Sequence, residues 1–451
     1  MNHLANLDGR VAKFGDAHYE RQRRRGCLNA LVPTRYPDLI VQAQSEADIT
    51  KALRHARHSN LKVTTRSGGH NTACAALRGS GVQIDVSYLD SLNINEERCT
   101  ASFGPGLTSL DFLKAIETRN FAFPVAQYPT VTMGGYLLGG GLGWNKSSWG
   151  GLACNALENA TVILGDGSKV NASANENADL FWALKGSGPG FFGVITRYKA
   201  RLFSKPQLIW RQTYVHSLSN LEMIVRELDT CFDEEAKQLS VQISCNSAPK
   251  GLANQTARHG KHLEVHVSAF ANDWEGAEAL LSPFEKSRIA SLCQRSSSNK
   301  FHRLTQLYSG VETSSGRSTG DNMFTNEVEP LLILVSKFIN IPSPRSKIYC
   351  SYGCRLPQID GSCFSTAGRH YLAAYLEWDD RTEDQIHFSW LDQTFAELDT
   401  FSKGHYLNEV DLARNPERIH KSFSHEKLRK IAELREVYDP HGIFFDQIDF
   451  H

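Results

Sequence analysis

The chain has 451 residues, 49 basic side chains against 49 acidic ones, and 41% hydrophobic residues. That length supports two or three domains around a large core. The charge balance excludes an electrostatic case for nucleic acid or an anionic membrane surface. The longest aliphatic run, Leu331 to Val335, is far short of a membrane span. The start, MNHLANLDGRVAKFG, lacks the apolar core of a signal peptide, so the expected location is cytoplasmic. Ten cysteines are too dilute for a disulfide scaffold, and none form C-x-x-C. Cys350 and Cys354 lack a matching pair, so no metal site is expected and most cysteines read as small buried hydrophobes.

In chain order, Arg21, Arg23, Arg24 and Arg25 read as a solvated helix face. Leu39 to Val41 predicts a strand, and Ser45-Glu46-Ala47-Asp48 a capped helix carrying Ile49, Leu53 and Ala56 at helical spacing. Val63-Thr64-Thr65 is a β-branched strand that breaks into Arg66-Ser67-Gly68-Gly69-His70-Asn71. Paired glycines permit positive φ and close backbone approach, and consecutive N–H groups in such a turn suit a pyrophosphate. Gly81 to Ser87 is the next strand, with Asp85 and Ser87 on one face. This first unit is β-α-β-turn-β.

A second unit runs from about Cys99 to Phe203. Ala101 to Gly106 leads from a strand into a helix near Ser109 to Thr118. The glycine-dense stretch from Tyr128 to Gly143 is neither a good helix nor a packed strand along its full length. It either loops around something or lays backbone against a flat ligand. Ala160 to Leu164 and Lys169-Val170 form a hairpin about Gly165-Asp166-Gly167. Ala178 to Leu184 reads as a helix, and Gly193 to Tyr198 as a strand.

Beyond Pro206, alternation predicts antiparallel strands. Leu239, Val241, Ile243 and Cys245 form one buried face, and Leu263, Val265, Val267 and Ala269 another. His262, Glu264 and His266 then fall on the opposite, solvent face, and no metal is expected there. Ser309 to Asn322 reads as a loop, Glu329 to Phe338 as a helix and Tyr371 to Trp378 as a strand. Ser424 caps a last helix with Leu428, Ile431 and Leu434 as its apolar stripe.

The sequence contains no G-x-x-x-x-G-K-[ST], G-x-S-x-G or H-E-x-x-H, and no G-x-G-x-x-G follows a strand. What it does contain, in order, is Arg66 to Asn71, Gly104-x-Gly106, Gly134-Gly135 with Gly139-Gly140-Gly141, Asp179 to Gly186 leading to Gly193-Val194-Ile195-Thr196, and Tyr406-x-Asn408 with Tyr438-Asp439-Pro440. Over roughly residues 15 to 451 this set resembles the FAD-linked oxidases of the vanillyl-alcohol oxidase / p-cresol methylhydroxylase superfamily. More closely, it resembles the berberine-bridge-enzyme-like branch, of the 6-hydroxy-D-nicotine oxidase type.

The resemblance implies an α+β fold, with a two-subdomain FAD-binding domain of the p-cresol methylhydroxylase type over 1–203 and 400–451 returning to it. Residues 204–399 would form an antiparallel-sheet substrate domain covered by helices. FAD would be held by Arg66, Ser67, Gly68, Gly69, His70, Asn71, Gly134, Gly135, Gly139, Gly140, Gly141, Ile195, Tyr406 and Asn408. His70 matches the histidine that bonds the flavin 8α carbon. Tyr128 stands where many relatives carry a second, cysteine link, so one covalent attachment is expected. Tyr406 is nominated beside the reacting ring. Period-2 alternation puts Tyr371, Ala373 and Tyr375 on the face toward it, suggesting a flat, weakly polar pocket. The expected chemistry is hydride transfer from a small, aromatic or natural-product substrate, with O2 as final acceptor. The alternative is a redox-neutral cyclase on the same FAD-binding frame. No nucleic-acid or membrane partner is expected.

Overall fold

The computed structural model describes residues 4, 7–233, 236–247, 260–291, 293–298, 301–303, 316–354, 356 and 361–447. Two small sheets build the first part of the chain. In one, β1 (Arg10–Lys13), β2 (Leu39–Gln42), β3 (Val63–Arg66) and β4 (Val82–Asp85) stand in the order β1-β2-β4-β3. β2, β4 and β3 are parallel and β1 is antiparallel to β2. The helix Glu46–His58 connects β2 to β3, and its cap Ser45 accepts from the Asp48 N–H as its sequence predicts. The Gly68-Gly69 turn therefore leaves the end of β3 beside β4.

In the second sheet, β5 (Leu92–Asn95), β6 (Thr100–Phe103), β8 (Leu157–Ile163), β9 (Lys169–Ser173) and β10 (Val194–Arg201) run β5-β6-β10-β8-β9. A two-stranded ribbon, β7 (Phe121–Ala122) with β11 (Phe203–Ser204), sits apart. One hydrophobic core joins these sheets, the helices Ser109–Glu117 and Ala178–Leu184, and the carboxy-terminal helix His425–Tyr438. The chain end is tied back directly: Val63 N–H donates to Ile443 and Phe445 N–H donates to Val63.

The remaining strands form one antiparallel sheet of seven: β12 (Leu208–His216), β13 (Leu239–Ser247), β14 (Lys261–Ala271), β15 (Cys293–Ser298), β16 (Arg317–Thr325), β17 (Lys347–Tyr352) and β18 (His370–Trp378), ordered β15-β12-β14-β13-β17-β18-β16. Alternation divides its faces. Leu239, Val241, Leu263, Val265, Leu372 and Leu376 bury one face against the helices Leu221–Cys231, Trp274–Glu285, Glu329–Phe338 and Asp384–Leu398. The opposite face looks toward the first core.

Two expectations need correction, and the glycine-dense stretch gains detail. Arg317 to Asn322 is strand rather than loop; the part of that expected loop from 309 to 315 lies outside the described residues. Arg23 is not solvated but 3% exposed, held by Glu20 and by the carbonyls of Pro33 and Arg35. Within the glycine-dense stretch, Met133–Leu138 does form a short helix. Its glycines are there for proximity, since a Cβ on Gly134 would lie 2.9 Å from Pro105 Cβ and Ser67 Oγ.

Candidate active site

The turn after β3 is held by polar contacts that leave its main-chain donors free. Arg66 forms an ion pair with its cross-strand neighbour Asp85 and donates to the Arg25 carbonyl. Its Nε finds no partner among the described residues. Ser67 Oγ accepts from Thr132 Oγ1 at 3.0 Å and from the Gly135 N–H at 3.3 Å, which clamps the two glycine segments together. Gly69, at φ +73°, approaches the Gly26 carbonyl so closely that a Cβ would stand 2.7 Å from it. Among the described residues, no acceptor within the protein engages the N–H groups of Ser67, Gly68, Gly69, His70 or Asn71. The five residues are half-buried on the wall of one cavity, so their donors are open to a ligand. A row of them lining one cavity fits the phosphate oxygens of a dinucleotide.

That cavity measures about 990 Å³ and is lined by Arg66 to Thr72, Tyr128 to Thr132, Gly134, Gly135, Ile195 and Tyr406 to Glu409. His70 lies on its wall with Nε2 2.8 Å from Thr130 Oγ1, and burial lowers its pKa to about 4. The ring is therefore neutral at pH 7, and among the described residues no partner engages its Nδ1.

Gly139, Gly140 and Gly141 do not line the cavity. They lie behind it and admit other groups: a Cβ on Gly139 would fall 2.1 Å from Asn408 Oδ1, and one on Gly140 2.9 Å from Phe364. Asn408 in turn spends its Nδ2 on the Tyr136 carbonyl (3.2 Å) and the Tyr406 hydroxyl (2.9 Å). Tyr406 Oη also accepts from the Leu142 N–H at 3.2 Å. With two donors on that oxygen, its own O–H remains to donate. Asn322, in the strand that read as loop, fixes the Tyr406 backbone from both sides, accepting from its N–H at 2.7 Å and donating to its carbonyl at 3.2 Å.

Across the cavity stand Tyr371 and Tyr375 of β18, with Ala373 between them fully buried. Both hydroxyls donate to one oxygen of Glu409, Tyr371 at 2.5 Å. Desolvation raises the Glu409 carboxyl above its ordinary range, and the two tyrosines and the Lys347 charge pull it back down. Both tyrosines are held well above the usual phenol range, first by burial and then by the Glu409 charge, so they stay protonated donors. Lys347 Nζ donates to the Tyr128 hydroxyl at 3.0 Å and lies 5.6 Å from the Tyr375 ring centre. Glu409 escaped the reading of the sequence. Its only signal there is an acidic residue directly after Tyr406-x-Asn408.

The seven-stranded sheet's inner face is far more polar than three tyrosines suggest. His262, Glu264 and His266 do not face open solvent; His262 is 2% exposed, and Glu264 and His266 line the same cavity. Glu264 accepts from His262 at 2.9 Å and lies 3.3 Å from His266 Nε2. Among the described residues no group of three His, Cys, Asp or Glu side chains is arranged to hold a metal ion, and no described helix is long and apolar enough to cross a membrane.

Residues 37–173 match the FAD binding domain family. An FAD-linked oxidoreductase of Hypoxylon pulicicidum is 24% identical over 430 residues, covering 94% of this chain and 93% of that one. The (R)-6-hydroxynicotine oxidase of Paenarthrobacter nicotinovorans is 31% identical over 205 residues, 45% of this chain and 44% of its own. Among solved structures, 6-hydroxy-D-nicotine oxidase from Arthrobacter nicotinovorans superposes with a TM-score of 0.84 at 19% identity, covering 99% and 98% of the two chains. Berberine bridge enzyme from Eschscholzia californica gives 0.81 at 18%, covering 100% and 97%. Those two likenesses establish the fold.

Proposed function

We propose that this chain, an FAD-dependent oxidoreductase of the berberine-bridge-enzyme-like branch, oxidises a small molecule at a C–H bond adjacent to a proton-bearing oxygen or nitrogen, with Glu409 as the proton acceptor. The observation that carries this reading is the Glu409 carboxylate bridged by Tyr371 and Tyr375 on the wall of the cavity that the free N–H turn also lines. Bound FAD would supply the two-electron acceptor, and its regeneration by O2 would release hydrogen peroxide.

The residues divide the remaining work. Ser67 to Asn71 offer main-chain donors to the pyrophosphate, and Gly134, Gly135 and Ile195 border the bed. A neutral His70 suits a single covalent attachment, because only an uncharged ring nitrogen can bond carbon. A substrate X–H placed against Tyr371 or Tyr375 passes its proton through that hydroxyl to Glu409, while the hydride leaves the adjacent carbon. A carboxyl tuned upward toward the working pH is an efficient base for this transfer. Tyr406 donates its free O–H toward the reacting group, positioned by Leu142 and Asn408.

The test is an anaerobic mixing experiment over a panel of alcohols and amines. A true substrate should bleach the oxidised flavin band within one turnover, and air should restore the band with peroxide equal to product. Full conversion with the flavin still oxidised and product mass unchanged would overturn this reading in favour of a redox-neutral cyclase. Peptide mapping should place the flavin mass on His70 alone, and a mass on any cysteine would refute the single attachment.

A further inference from the structure

Arg211 of β12 is 8% exposed, lines the cavity, and has one guanidinium nitrogen with no water access and no partner among the described residues. None of the described ion pairs includes it either. Burying an unpaired guanidinium is costly, so such a group is retained where something arrives to pair with it. The nearest candidate within the sheet does not serve. Arg211 stands opposite Ser268, and Glu264 lies four residues further along β14, about 13 Å at the usual rise per residue.

Glu264 is, besides, already occupied by His262, His266, Ser244 and Asn246. His266, between the two, is bonded to Thr213 Oγ1 at 2.9 Å and is held neutral, its pKa lowered to about 4 by burial and then by the Arg211 charge. Thus the lobe presents one fixed cation beside a neutral His266, while the Glu264 charge, held against burial well below the usual carboxylate range by hydrogen bonds from His262 and His266, is spent on those partners.

The place of this lobe in the sheet sets a length. From β12 to β18 the order is β12-β14-β13-β17-β18. Four strand spacings, roughly 19 Å, separate the two strands, and the registers set Arg211 two residues short of Tyr371 and six short of Tyr375, so the span is roughly 20 Å to Tyr371 and longer to Tyr375. Both ends line one continuous cavity.

We infer that Arg211 is a distal specificity site for a carboxylate carried at the far end of an elongated substrate whose other end reacts beside Tyr371, Tyr375 and Glu409. A planar guanidinium recognises a carboxylate through paired hydrogen bonds, which is specific as well as strong. This rests on the function proposed above for the reacting end, so the test reads binding and not turnover.

Calorimetry on the FAD-loaded protein should compare 8-phenyloctanoate with its neutral twin, 8-phenyloctanamide. The acid should bind at least about tenfold tighter, and Arg211→Gln should bring the two to within about twofold while leaving amide affinity unchanged. Arg211→Lys, which keeps the charge, should retain part of the preference and serves if the Gln variant does not fold. The short acid 3-phenylpropanoate cannot reach both ends, so it should shift the flavin spectrum less than the long acid at equal occupancy. Equal affinity of acid and amide for the unaltered protein would overturn the inference. So would an acid preference untouched by Arg211→Gln, because another cation would then hold the carboxylate. Failure of the hydride-transfer reading shows separately, as a flavin that no alcohol or amine bleaches.

Discussion

Glu409 is pulled two ways. Desolvation favours its neutral form, and the tyrosine hydroxyls and Lys347 favour its charge, with desolvation prevailing. An unfolded glutamate titrates near about 4.3, so the folded pKa lies above the unfolded one. Below that value both states hold the proton and the group contributes no difference. As pH rises, the unfolded chain releases its proton first, and the fold loses stability up to the folded pKa. Glu409→Gln removes that loss. Its melting temperature should match the parent's near pH 4 and exceed it near pH 7.5, while turnover falls about 10²–10⁴-fold, the usual contribution of a general base. The acidic limb of the parent's kcat profile should also vanish in the variant. A variant that melts lower at pH 7.5, with turnover within tenfold, would reduce Glu409 to a packing role. At this scale the sequence yielded the tyrosines, because alternation along β18 assigns Tyr371 and Tyr375 to one face. It did not yield Glu409 or Arg211. A single charged residue in one helical turn or on an alternating strand carries no period, and its value depends on what the fold brings opposite it.

Elements show where pattern reading stops. Period-2 alternation in β13 and β14 correctly separates the face carrying Val241 and Val265 from the one carrying Glu264 and His266. What covers the second face is a tertiary fact, and solvent was the wrong guess because the first core and its cavity lie against it. Glycine density was likewise ambiguous. It marks close approach, and only the structure shows which glycines meet the cavity and which meet other protein. Gly139 belongs to the second kind, so its effect should pass through Asn408. A methyl at Gly139 would occupy the Asn408 amide, which is pinned to the Tyr136 carbonyl and the Tyr406 hydroxyl and cannot swing away without breaking both bonds. Gly139→Ala should cost about 1–3 kcal/mol, as overpacking does, with a matching fall in melting temperature and lower turnover as Tyr406 loses its tether. Gly135→Ala is the control, since its nearest neighbour would be Ser67 Oγ at an ordinary 3.9 Å. Its melting temperature should hold or rise. Equal melting of the two variants would show that Asn408 yields freely.

At the scale of the whole molecule, the cavity wall is assembled from segments far apart in sequence: the turn after β3, the stretch around Thr130 to Gly135, β18, and the short helical turn at Tyr406 to Glu409. Asn71 Nδ2 donating to the Asn408 carbonyl at 3.0 Å is one direct stitch between the first and last of these. The ladder amides of β13 and β14, by contrast, are paired residue for residue within the sheet and owe nothing to the cavity. This difference makes cofactor removal legible by hydrogen exchange. A ligand that binds only the folded state adds stability in proportion to the logarithm of its concentration over its Kd, but the protection it gives is local to the donors it engages. His70→Ala should still load FAD through the turn and release it on denaturation, which gives matched loaded and empty forms of one protein. The amides of Ser67 to Asn71, which have no acceptor among the described residues, should exchange quickly when empty and slow by at least about tenfold when loaded. Those of Val241 to Cys245 should stay slow in both forms, because local opening there requires breaking the sheet. If the turn amides are equally slow without FAD, they have an acceptor inside the protein, and the pyrophosphate assignment of this turn fails. If they stay fast with FAD bound, the phosphates sit elsewhere on the cavity wall, and the clamp between Ser67 and Thr132 is scaffolding alone.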